Sequence, residues 1–176
     1  MRPIIVTYDG NAPHVADDAF VAPGAVLEGM VTLGARSSVW YSSVLRGDTA
    51  RITVGADCNV QDGCVLHADP DYPTVLGDRV SLGHGAIVHG ATVADDVLIG
   101  MRATVMNGAT IGSFSLIGAG AVVPPGTQVP PGSLVVGLPG RVRRTTTDDE
   151  RALITYTHET YAARAAAHAE QLYGQA

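Results

Sequence analysis

The chain has 176 residues, 46% hydrophobic but only 5% aromatic, so a one-domain length must be cored by aliphatic side chains. Seventeen acidic residues stand against eleven arginines and no lysine, and the net charge of −6 excludes a general nucleic-acid binder, which needs a basic face. No charged leader opens the chain and no apolar run reaches membrane-spanning length, so a soluble, cytoplasmic protein without membrane contact is expected.

Residues 1–14 read as an opening strand and cap over the first exposed edge. From Val15 a large aliphatic recurs every six residues, through Val21, Leu27, Leu33, Val39 and Leu45. The step resumes after three extra residues at Val54, Val60 and Leu66, and after four more at Leu76, Leu82, Val88 and Ala94. One residue is then dropped, and Ile99, Val105, Ile111, Ile117, Val123, Val129 and Val135 follow. Four residues after each comes, with few exceptions, a small one, such as Ala25, Ser43, Cys58, Cys64, Ala86 or Ala103. This pattern predicts a parallel β-helix of three short strands per coil, running from about residue 15 to 140. A β-sandwich with hairpins does not account for a six-residue step over that length.

Cys58 and Cys64 fall in the small inward register and read as buried, reduced thiols. Pro-Pro-Gly occurs twice in 123–133 at the repeat spacing, which marks the last coil. Thr147 to Glu150 has the form of a capping box, and the alanine-rich segment 152–173, free of Gly and Pro, predicts a helix. Its apolar face is expected at Leu153, Tyr156, Tyr161 and alanines. The expected organisation is a β-helix domain over 1–145, cap included, and a C-terminal α-helix over 146–176 packed on the coil.

The repeat assigns the histidines to faces. His67 follows Leu66 and His89 follows Val88, 22 residues apart, which is one coil plus the four-residue insertion. They therefore stack on successive coils, roughly 4.8 Å apart in strand spacing, with Arg46 in the same column below. His84 belongs to the preceding face, above Asp62 and beside Gln61, and all these side chains should face outward. Two histidines on one edge and one on another do not close a metal site in one chain. A threefold homotrimer would bring one subunit's His84 against its neighbour's His67 and His89. Three imidazoles with an open fourth position form the donor set of catalytic zinc. His14, His158 and His168 show no such relation and read as surface residues.

Across nearly its whole length the chain resembles the gamma-class carbonic anhydrases and their relatives in the left-handed β-helix, hexapeptide-repeat superfamily. The segments that carry the resemblance are LRGD (45–48), NVQDGCVLH (59–67), SLGHGAIVHG (81–90), VLIGMRATV (97–105) and VVGLPGRVRR (135–144), the last shared with hexapeptide acyltransferases. The resemblance implies a mainly β, left-handed parallel β-helix with a C-terminal helix, assembled as a homotrimer. It further implies one Zn2+, with Fe2+ or Co2+ as alternatives, held at each interface by His67 and His89 of one subunit and His84 of the next. The implied reaction is reversible hydration of CO2 to bicarbonate by a metal-bound hydroxide. Gln61 would orient the hydroxide, Asp62 would share its hydrogen-bond network, and Asn59 would position CO2 or product. Arg46 and Asp48 match an ion pair between subunits near the site, and Tyr161 a helix tyrosine that reaches toward it.

Two departures bear on activity. The long acidic loop of active members, whose glutamate moves protons, is reduced here to ADPDYPTVL (68–76), with Asp69 and Asp71 as its acids. The position after Asp48, acidic in those members, is Thr49. The rival functions are a metal-dependent hydrolase such as an acyl-CoA thioesterase, a hexapeptide acyltransferase using one histidine as base, and a catalytically silent structural trimer.

Overall fold

The computed structural model describes residues 2–174; Met1, Gln175 and Ala176, at the outer ends of the two expected segments, lie outside the described residues. Large aliphatics six residues apart stack in register because each coil repeats after 18 residues, as in the parallel pairing of Leu98 with Leu116 and Ile99 with Ile117. One ladder joins Val44–Val54, Val65–His67, Ile87–His89, Thr104–Val105 and Val122–Val123. A second continues from Val44–Val54 through Thr74–Leu76, Thr92–Val93, Thr110–Ile111 and Gln128–Val129. The third side runs from Phe20–Val21 through Ser38–Val39, Asn59–Val60 and Ser81–Leu82 to Ser133–Val136. The result is a β-solenoid with one C-terminal helix. Leu27, Leu45, Leu66, Val88, Val105 and Val123 fill its interior with no solvent exposure. Cys58 and Cys64 are buried and free there, and burial pushes both thiols up to about 12.

The N-terminal segment adds to the stack: Ile4–Val6 pairs in parallel with Val26, Leu27 and Glu28. At the far end Arg141–Thr145 pairs antiparallel with Ser133–Val136. One register assignment needs correction. The inward residue after Val88 is Val93, which is 1% exposed and pairs with Leu76 and Ile111; Ala94 is not in that position. The chain turns this corner in one residue fewer at Gly90, whose φ of +61° is open to glycine.

The helix, α1, spans Asp148–Tyr173. Thr147 caps it, its side chain accepting from the Glu150 amide while the Glu150 carboxylate accepts from the Thr147 amide. α1 lies across the third side, over Phe20–Val21, Ser38–Val39, Asn59–Val60 and Ser81–Leu82. Its buried stripe differs from the expected one. Leu153 and Tyr156 face solvent, whereas Ile154, His158 and Ala165 are buried, with Tyr161 and His168 half-buried. Those positions recur at helical spacing, and Tyr161, Ala165 and His168 meet the Phe20 and Trp40 rings, so docking on aromatics selected that part of the face. His158 is therefore not a surface residue and His168 is half-buried, while His14 is exposed.

Candidate metal centre

Strand pairing places Arg46, His67 and His89 opposite one another on three successive coils. His67 Nδ1 lies 2.9 Å from His89 Nε2. The outer nitrogens are already committed. His67 Nε2 is 3.0 Å from Asp48 Oδ1, and a carboxylate only accepts, so that nitrogen carries the proton. His89 Nδ1 is 2.5 Å from Asn107 Oδ1. The Asn107 amide cannot be reversed, because its Nδ2 donates to Asp69 Oδ2 at 2.6 Å. His89 is thus also protonated on its outer nitrogen. The two inner nitrogens then face each other across 2.9 Å, and either a shared proton or a metal ion between them satisfies both. Neutral imidazoles oriented from behind by a carboxylate and an amide are what a metal-binding pair requires, so these residues fit the metal that the resemblance implies.

The supporting shell is tightly built. Burial would push the Asp48 carboxyl up, but hydrogen bonds from His67 and Arg46, with the charge of Arg46, hold it below the ordinary carboxylate range. The Arg46–Asp48 pair forms within one chain. Gly90 leaves room for Asn107: a Cβ there would lie 2.7 Å from Tyr72 Cβ and 2.8 Å from Asn107 Oδ1. Thr74 ties the short loop down, donating to the His67 carbonyl at 2.6 Å and accepting from the Gly90 amide at 2.8 Å. Asn107 was missed by sequence reading: the pairing of Val88 with Val105 puts Met106 opposite His89, and Asn107 follows one residue later at the corner. Beside His89 runs a groove of about 920 Å³ lined by Tyr72, Ile87, Met106 and Pro125.

His84 stands elsewhere. It lines a separate cleft of about 440 Å³ with Trp40, Asp62, Tyr161 and Arg164. Its Nδ1 is 2.9 Å from Asp62 Oδ2, which leaves Nε2 with the lone pair, 3.4 Å from the Tyr161 hydroxyl. Tyr161 stacks edge-on against Trp40, and Arg164 lies over its ring at 5.3 Å. Burial raises the Tyr161 hydroxyl above its ordinary value. Asn59 and Gln61 point away from the coil as expected, yet they are buried at 1% and 5% exposure where the helix crosses this side. Gln61 Nε2 donates to Asn59 Oδ1 at 3.0 Å, and Asn59 Nδ2 to Ser81 Oγ at 2.7 Å, which fixes both amides and leaves Gln61 Oε1 as an acceptor. The fold thus gathers the sequence-derived residues into two groups: Arg46, His67 and His89 on one edge, and Asn59, Gln61, Asp62, His84 and Tyr161 on the other. Among the described residues, the only three-donor cluster within one chain is His67, Asp69 and His89, with ligand atoms within 4.8 Å of one another.

The bacterial transferase hexapeptide (six repeats) family matches residues 90–125. Over 136 residues the chain is 51% identical to a Methanocaldococcus jannaschii protein named "Probable carbonic anhydrase", covering 77% of this chain and 86% of that one. It is 39% identical over 176 residues to gamma carbonic anhydrase 1, mitochondrial, of Arabidopsis thaliana, spanning 97% of this chain but only 64% of that longer protein. Carnitine operon protein CaiE of Escherichia coli is 41% identical over 143 residues, covering 81% of this chain and 73% of that protein. A solved hexapeptide transferase family protein from Anaplasma phagocytophilum superimposes with a TM-score of 0.91 at 35% identity, over 95% of this chain and 99% of that one.

Proposed function

The chain belongs to the gamma-class carbonic anhydrase-like family of hexapeptide-repeat proteins, and on that premise we propose that it is a homotrimeric metalloenzyme hydrating CO2 reversibly. The observation that carries this reading is the pair of inner imidazole nitrogens 2.9 Å apart, with both outer nitrogens engaged. In the proposed site His67 and His89 of one protomer and the partner subunit's His84 hold the ion, and three imidazoles suit zinc first, with Fe2+ and Co2+ as alternatives. When bound, such a metal supplies Lewis acidity and brings the pKa of a coordinated water to about 7.

The protein's own residues do the rest. Asp48, Asn107 and Asp62 each fix one imidazole's tautomer and direction. Arg46 anchors Asp48. The buried amides of Gln61 and Asn59 present a preformed hydrogen-bonding pair for orienting the water and CO2. Tyr161 donates to the free nitrogen of His84 in the separate protomer and moves aside or re-pairs on assembly. No described helix is long and apolar enough to cross a membrane. The two buried free thiols suit a reducing compartment, which supports a cytoplasmic location.

A second reading is favoured by the groove beside His89, which is far larger than CO2 requires and has apolar walls at Ile87, Met106 and Pro125. It suits a metal hydrolase acting on an ester or thioester with an apolar tail. Stopped-flow CO2 hydration separates the two, using protein purified without oxygen and loaded with zinc or ferrous iron. Turnover that vanishes in His89→Ala supports the first reading. No turnover from fully metallated protein removes it and leaves thioester hydrolysis or a structural role.

A further inference from the structure

The short loop after His67 does more than close a coil. Asp69 is half-buried, and its backbone pairs with Tyr72, whose amide donates to the Asp69 carbonyl at 2.9 Å. One carboxylate oxygen accepts from Asn107 at 2.6 Å, and the other is left for a second partner. One ring nitrogen each of His67 and His89 and an Asp69 oxygen lie within 4.8 Å of one another. Asn107 touches both His89 and Asp69, so one amide sets the direction of two of the three donors.

We propose that each protomer carries its own two-histidine, one-carboxylate metal site, with Asp69 as the third donor. The ion is captured by a single chain, and the partner subunit's His84 then joins or displaces Asp69 on assembly. Two imidazoles and a carboxylate with open positions suit ferrous iron as well as zinc. This goes beyond the three-histidine site above, and it rests on that reading only for the role given to His84. The loop thereby acquires a function in loading the site, in a chain where it is too short to carry the family's acidic arm.

The test is Co2+ binding, followed by visible absorption and by metal per chain after gel filtration, on wild type, His84→Ala, Asp69→Asn and the double variant. His84 is exposed and Asp69→Asn is isosteric, so all four are expected to fold; circular dichroism checks this. The expected result is one Co2+ per chain in His84→Ala, weaker than wild type, with a further loss of about tenfold or more in the double variant. No binding to folded His84→Ala, or equal binding with and without Asp69, overturns the proposal. If His84→Ala binds as tightly as wild type but still depends on Asp69, the one-chain site stands and the cross-subunit site falls. A wild type that binds no Co2+ overturns both.

Discussion

The two histidine-bearing edges are built by different physics. His67 and His89 sit on paired strands, so backbone hydrogen bonds at each coil fix their separation before any side chain is chosen. The His84 edge is held by a tertiary contact: Tyr161 comes from a helix 77 residues further on and arrives because Trp40 and Phe20 offer it an aromatic bed. The first edge is therefore stiff and set by the repeat. The second is as firm as the docking of α1.

This contrast is broken most severely from inside the coil. Leu66→Ala, directly behind His67 and with no solvent exposure, is expected to cost about 2–5 kcal/mol in urea unfolding. The same change should loosen both edges, since the solenoid is common to them. A more selective change is Asn107→Ala, which frees the His89 tautomer and should lower metal affinity about 10–100-fold with little change in stability. Gly90→Ala should act in the same direction, because its Cβ would collide with Tyr72 and Asn107 at a positive φ. Isothermal titration with zinc under chelator competition measures both.

The helix-dependent edge is addressed through the cap. Thr147→Ala should cost about 1 kcal/mol and speed amide exchange in the first turn of α1, leaving the His67–His89 edge unchanged. The smallest effect is one of pH. The Arg144 side chain and the Thr147 amide hold Glu150 down to about 2. Its stabilisation is complete above the ordinary carboxylate pKa of about 4.3 and is lost as pH falls from there through about 2. Glu150→Gln should flatten that part of the stability profile, read by thermal melts between those values.

What could be read in the chain follows the same division. Register is a counting problem, so the Arg46–His67–His89 column and the separation of His84 follow from a six-residue step and its insertions. Asn107 is not reached by that count, because the pairing of Val88 with Val105 puts Met106 in the column above His89. Counting failed where the backbone changes its step locally: Gly90 turns the corner one residue early and moves Val93, not Ala94, inside. It failed again for α1, because alanine on every side leaves the docking face to be chosen by Phe20 and Trp40. The burial of Asn59, Gln61 and His158 depends on that choice and is invisible before it. Asp69 lies in a loop outside the repeat, so no spacing placed it beside His89.

The central claim is that one catalytic site draws on both edges, from two different subunits. It is tested most directly by unfolding and reassembling His84→Ala and His89→Ala chains together and measuring CO2 hydration by stopped flow. Each parent alone should be silent, because every interface lacks one imidazole. Equal mixing should restore about a quarter of wild-type turnover, from interfaces that pair an intact His67–His89 edge with an intact His84. Mixed assemblies as silent as their parents, beside an active wild type, would contradict the account.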